Sequence, residues 1–176
     1  MKKALNTREL REMKPNRHEF VSLERNKVIL FLDRLLNNHN LGAILRLADA
    51  ALVEKVYSFD SVASADGKKA LLSARGVAEW VPHENVSDGL ATLRELRAQG
   101  YQILALELCH DSVLYHQVPL GEKVCLVVGS EMKGVSEEIL EMADHRIHIP
   151  MAGMANSLNV ATATAVALFD LIRRKS

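Results

Sequence analysis

Apolar positions in this chain come in short runs rich in β-branched residues, separated by stretches with helical spacing. Val28–Leu32, Val56–Phe59, Glu79–Val81, Gln102–Leu106 and Val124–Val128 are predicted as strands. Most are continuous runs rather than alternations, the pattern of strands covered on both faces, and they predict an α/β domain built on a parallel sheet flanked by helices. Between them, residues 40–52 set Leu41, Ile44, Leu45, Ala48 and Leu52 on one helical face. Residues 88–99 repeat the spacing with Leu90, Leu93 and Leu96; Ser87 is the expected N-cap and Gly100 the expected C′ residue. Ser136 opens a short helix with an acidic first turn. A last helix is expected over about 158–174, its small residues alternating with Val166, Leu168, Leu171 and Ile172.

The size, 176 residues with 48% hydrophobic and 25% charged, suits one globular domain over residues 26–176 preceded by a polar, helical, basic appendage over 1–25. Cys109 and Cys125 stand in no CxxC or Cys/His spacing, which argues against a disulfide framework or a zinc site. No stretch has the apolar length of a secretory core or a membrane span, so a soluble, cytoplasmic, unprocessed protein is expected, and the Asn85–Ser87 sequon carries no weight.

The net charge of zero conceals a split. Residues 1–34 carry nine Lys/Arg against five Asp/Glu, and Arg173, Arg174 and Lys175 add three positive charges at the other end. Basic ends on an acidic body can supply phosphate contacts to a nucleic acid, although frayed, solvated termini often look the same.

Several nucleotide signatures fail. No GxGxxG follows the first strand, so a dinucleotide-binding unit is not supported. Gly129 to Ser136 has the glycine spacing of a phosphate loop, but Val135 occupies the place of its lysine. His83-Glu84 lacks the second histidine of a zincin, and the other histidines and methionines form no interpretable spacing. No metal is expected.

Three blocks remain. They are Asn40-x5-Arg46, Gly129-x-Glu131-x2-Gly134, and Ile149-Pro150-Met151 followed by Ser157-Leu158-Asn159-Val160. In this order they resemble the signature of the SpoU or TrmH-like RNA ribose methyltransferases, and the likeness runs from about Val28 to Lys175. Gly76–Val81 and the Gly153–Val160 block look closer to the tRNA guanosine branch than to the ribosomal RNA branch. One departure is Asn37, where relatives often carry a proline before the Asn or His-Asn.

The resemblance alone implies a deep trefoil knot in the carboxyl-terminal part, a feature that physical rules would otherwise disfavour. It also implies S-adenosylmethionine as cofactor, held in loops around residues 106, 129 and 149–158. Leu106, Gly129, Ile149, Met151 and Leu158 are its expected contacts, and a homodimer is the expected assembly. The reaction implied is methyl transfer to a ribose 2′-hydroxyl of RNA, most simply a guanosine of tRNA. Ribosomal RNA is the alternative, and a non-catalytic RNA-binding module of the same fold another.

Arg46 is the expected key catalytic group. A guanidinium stays protonated, so phosphate binding and alkoxide stabilisation suit it better than general base catalysis. Asn40 would orient Arg46 or the ribose, Glu131 would hold Arg46 by a charge-assisted bond, and Ser157 and Asn159 would serve ribose or cofactor. Plainer readings stand beside these. Arg46 can be a surface charge, Asn40 and Ser157 helix N-caps, and Glu131 and Gly134 a turn.

Overall fold

The computed structural model describes residues 4–16, 19–20, 22–65, 68–74 and 76–175. Its centre is a seven-stranded sheet in which every neighbouring pair is parallel. The strands are β1 (Asn26–Asp33), β2 (Val53–Phe59), β3 (His83–Val86), β4 (Tyr101–Leu106), β5 (Val113–Leu114), β6 (Lys123–Val128) and β7 (His145–His148), in spatial order β3-β2-β1-β6-β4-β7-β5. The helices are α1 (Thr7–Glu12), α2 (Asn38–Ala50), α3 (Lys68–Ala74), α4 (Gly89–Ala98), α5 (Glu137–Met142) and α6 (Val160–Lys175).

The continuous apolar runs are explained by two cores. Val28, Leu30 and Leu32 of β1 pack with Leu41, Ile44, Leu45 of α2 and Leu168, Leu171 of α6. Ile29 and Phe31, pointing the other way, pack with Leu93 and Leu96 of α4 and Ile139 of α5. Both faces of the central strands are thereby removed from water, as the expected α/β architecture requires.

Several local expectations change. Glu79–Val81 is not a strand: Gly76, at φ +80, leads into a 3₁₀ turn over Val77–Glu79, and the strand follows at His83–Val86. That strand is short, polar and pairs on one side only, so it lacks the apolar signature. The two-residue β5 and the four-residue β7, in which only Ile147 is buried, are likewise too short to leave an apolar run, although β7 pairs on both sides.

Asp88, not Ser87, caps α4, because its Oδ1 accepts from the Ala91 amide at 2.9 Å. Gly100 does follow the helix at φ +88. Helix α2 starts earlier than expected, at Asn38, with Asn37 as its cap: the Asn37 Oδ1 accepts from the His39 amide at 2.8 Å. Asn40 is therefore inside the helix. Asn159, rather than Ser157, meets the free amides of α6, accepting from Ala161 at 3.0 Å and Thr162 at 3.3 Å. The appendage contributes α1, which buries no residue, and a Phe20–Trp80 edge contact with ring centroids 6.0 Å apart.

Candidate active site

The carboxyl ends of β4, β6 and β7 stop side by side, and the loops leaving them enclose a cleft of about 540 Å³. Its walls are Leu106–Leu108 after β4, Val128–Gly134 after β6, and residues of the 148–160 segment after β7. In open parallel sheets the ends of the strands are the usual place for a ligand, and this volume lies in the range of about 300–1,000 Å³ typical of small-molecule pockets.

The β6 loop is shaped by steric limits. Ser130 and Gly134 exchange backbone hydrogen bonds at 3.1 and 3.0 Å, and the Ser130 hydroxyl accepts from the Lys133 amide at 3.1 Å. A Cβ on Gly129 would lie 2.0 Å from the Gly134 carbonyl carbon. Gly134 itself sits at φ +66, and a Cβ there would fall 2.0 Å from the Glu107 carboxylate. Glycine is thus imposed twice, once by contact and once by both contact and backbone conformation. Glu107 in turn accepts from the Val135 amide at 3.0 Å and the Leu108 amide at 3.1 Å, tying the β4 loop to the β6 loop.

The start of α2 is fastened to the same loop by Glu131. Its carboxylate accepts from the Leu36 amide at 3.0 Å, the Asn37 amide at 3.1 Å and the Asn40 Nδ2 at 2.7 Å. Partial burial acts to raise the Glu131 pKa, but the donors from Asn40, Leu36 and Asn37 outweigh it and hold the carboxyl below its ordinary value. On the other side of Asn40, the Asn159 Nδ2 donates to Asn40 Oδ1 at 3.0 Å. The chain Asn159–Asn40–Glu131 therefore bridges all three sequence blocks.

Of the residues expected to touch cofactor, Leu106, Gly129, Ile149, Met151 and Leu158 all line the cleft, as do Glu131, Ser157 and Asn159. Asn40 stands behind this wall, nearly buried, at 6% exposure. Arg46 does not join them. The buried residues of α2 are Asn40, Leu41, Gly42, Ile44, Leu45 and Ala48; Arg46 falls on the opposite, exposed side of the helix.

The expected Glu131–Arg46 bond is absent, because Glu131 is engaged by Leu36, Asn37 and Asn40. Among the described residues none pairs with the Arg46 guanidinium. Glu107, Asn156 and His148 also line the cleft, and His148 Nδ1 lies 3.0 Å from the Ser112 hydroxyl. Glu107 directly follows a strand carboxyl end, a position that a reading by fold alone would have marked.

Among the described residues no group of three or more His, Cys, Asp or Glu is arranged to hold a metal ion. Both cysteines are free thiols, and burial pushes the Cys125 thiol far up. No helix of the described residues is long and apolar enough to cross a membrane.

The SpoU rRNA Methylase family matches residues 27–169, which include every one of these blocks. The chain belongs to that family. Among its SpoU relatives, the tRNA (guanosine(18)-2'-O)-methyltransferase of Aquifex aeolicus is 39% identical over 160 residues, 89% of this chain and 74% of that protein. The crystal structure of the A. aeolicus TrmH/SpoU tRNA modifying enzyme superposes with a TM-score of 0.78, covering 89% of this chain and 79% of that one. An AdoMet-bound rRNA methyltransferase from Sinorhizobium meliloti, 29% identical, gives a TM-score of 0.79 over 88% of this chain and 59% of its own. The SpoU membership and the parallel α/β fold thus agree with the sequence reading, including its tRNA guanosine branch.

Proposed function

We propose that this chain transfers a methyl group from S-adenosylmethionine to a ribose 2′-hydroxyl of RNA, with a guanosine of tRNA as the target. The observation that carries the reading is the cleft at the ends of β4, β6 and β7, walled by the family's second and third blocks and braced by Asn159, Asn40 and Glu131. The relatives named above, one a tRNA enzyme and one an AdoMet-bound rRNA enzyme, support it.

The walls fit such a cofactor. Leu106, Val128, Ile149, Met151 and Leu158 offer apolar surface, and the loops around Gly129 and Ile149 offer backbone groups. The Glu107 and Glu131 carboxylates place negative charge in a wall that would face a cation. The cofactor, when bound, supplies a methyl group on a positively charged sulfur, whose departure needs little assistance. The protein's remaining work is positioning the acceptor hydroxyl and easing loss of its proton.

In this reading Ser157 and Asn159 hold ribose or cofactor at the mouth of the cleft, and Asn40 fixes the Asn159 amide. Arg46, unpaired among the described residues and exposed, is free to engage ribose and phosphate arriving from outside. Its permanent charge stabilises a developing alkoxide.

The knot and the homodimer belong to the same proposal. The path from β7 back to α6, which packs against α2 and β6, is compatible with a threaded carboxyl-terminal segment. The outward-facing small residues Thr162, Ala163 and Ala165 and the half-exposed Phe169 suit a helix that packs closely on a second copy, which sedimentation velocity would detect. The basic segment 1–25 acts as an RNA-contacting arm outside the 26–176 domain, and its deletion reduces both RNA affinity and its salt dependence.

The deciding experiment incubates the protein with labelled cofactor and separate tRNA and ribosomal RNA pools, then maps the modified nucleotide by mass spectrometry. A 2′-O-methylguanosine in tRNA supports the reading. The same product confined to ribosomal RNA selects the alternative that the S. meliloti likeness favours, and RNA binding without transfer selects the non-catalytic module.

A further inference from the structure

A second cavity, of about 490 Å³, opens beside the first and is lined by Leu36, Asn37, Asn38, Val62, Glu131 and Met132. Glu131 and Met132 line both cavities, so the two share a wall. Methyl transfer needs donor and acceptor held side by side, and a cavity adjoining the cofactor cleft is where an acceptor nucleoside fits.

The cavity's apolar members are unusually exposed: Met132 at 83%, Val62 at 76% and Leu36 at 41%. An apolar ledge of this kind, at the end of a sheet and beside a polar site, matches the flat face of a nucleobase drawn out of its stack.

The polar members carry more specific information. The Asn37 Oδ1 accepts from the His39 amide at 2.8 Å, and the Asn38 Oδ1 accepts from the Ser64 amide at 2.7 Å. These bonds fix which end of each carboxamide is oxygen. What each asparagine can offer a ligand is Nδ2, which donates to no described residue. Two donors select a base edge with two adjacent acceptors. Guanine presents N7 and O6 together, whereas adenine opposes the second donor with its own amino group.

We propose that the second cavity receives the target guanine, stacked on Met132 and Val62 and read at N7 and O6 by the Nδ2 groups of Asn37 and Asn38. The inference rests on the reading of the chain as an RNA ribose methyltransferase and adds the residues that choose the base.

The test uses Asn37→Asp, Asn38→Asp and the double variant. Each keeps the oxygen that caps His39 or meets Ser64 and exchanges the donor for an acceptor. kcat/KM is measured on RNA carrying guanosine, 7-deazaguanosine or adenosine at the mapped position, with cofactor Kd measured separately. Wild-type protein prefers guanosine over both analogues by about tenfold or more, a discrimination ordinary for a paired hydrogen-bond contact. The double variant loses that preference while its cofactor Kd is unchanged. Val62→Ser raises KM for RNA and leaves kcat in place.

A variant that loses activity equally on every RNA, or keeps the wild-type ratio, overturns the assignment, as does wild-type protein that methylates 7-deazaguanosine as well as guanosine. In those cases the methyltransferase reading stands. Wild-type protein that binds cofactor but methylates no RNA overturns the parent reading and this one with it.

Discussion

The Asn159 side chain donates to Asn40 across 119 residues of sequence, Nδ2 to Oδ1 at 3.0 Å, and the same Asn40 carboxamide donates to Glu131 at 2.7 Å. One buried amide, using both its ends, joins α2, the β6 loop and the entry to the last helix. A group of this kind must be both donor and acceptor, so no residue without an amide replaces it fully.

Asn40→Ala leaves Asn159 and Glu131 each short of a partner and is expected to cost about 2 kcal/mol. For a chain of this size that lowers Tm by roughly 4–8 °C, readable by calorimetry. Asn40→Asp is expected to be worse, because it sets a second carboxylate against Glu131. A double-mutant cycle with Glu131→Ala should return a coupling of about 1 kcal/mol, and additivity would show that the bond carries no stability.

The Glu131 carboxyl has its pKa held below the ordinary carboxylate value in the folded protein. The sign follows directly. Its contribution to stability is full above the unfolded value of 4.5 and is lost as pH falls through the lowered folded value. The prediction is a loss of stability below about pH 4.5 that is reduced in Glu131→Gln, measured by urea midpoints across pH 3 to 7. Equal acid sensitivity in the two proteins would place the titrating group elsewhere.

Gly129→Ala drives a Cβ into the Gly134 carbonyl, backbone against backbone, with no flexible side chain to yield. A loss of about 3 kcal/mol, with cofactor binding weakened because the loop lines the cleft, is expected from urea unfolding and calorimetry. Wild-type stability would mean the loop is less closed than described.

Arg46→Ala removes an exposed charge that makes no hydrogen bond or ion pair among the described residues, so its effect on stability should fall within about 0.5 kcal/mol. Methyl transfer is expected to drop by about a hundredfold or more, with cofactor Kd unchanged. Full turnover in the variant would remove Arg46 from the reaction.

The sequence made the architecture legible where strands were buried on both faces, because β1, β4 and β6 leave an unbroken apolar record. The edge strands β3 and β5 and the short internal strand β7 left no such record, since strands of two to four residues are too brief to make an apolar run. The cleft-lining residues were legible through their motif blocks, yet the helix caps were not. Asn37 and Asn40, Ser87 and Asp88, and Ser157 and Asn159 are all capable caps, and only the backbone path decides which one meets the free amides. The expected Glu131–Arg46 pairing failed because charge complementarity between two motifs does not reveal which face of α2 each residue occupies. Glu107 went unnoticed because a lone carboxylate after an apolar run has no pattern to announce it.

The central claim is that three separated loops enclose one methyl donor. Crystals grown with S-adenosylhomocysteine test it most directly. The account predicts the ligand between Leu106, Gly129 and the Ile149–Leu158 segment, within reach of Asn159; a ligand bound away from the ends of β4, β6 and β7, or no binding at all, would contradict it.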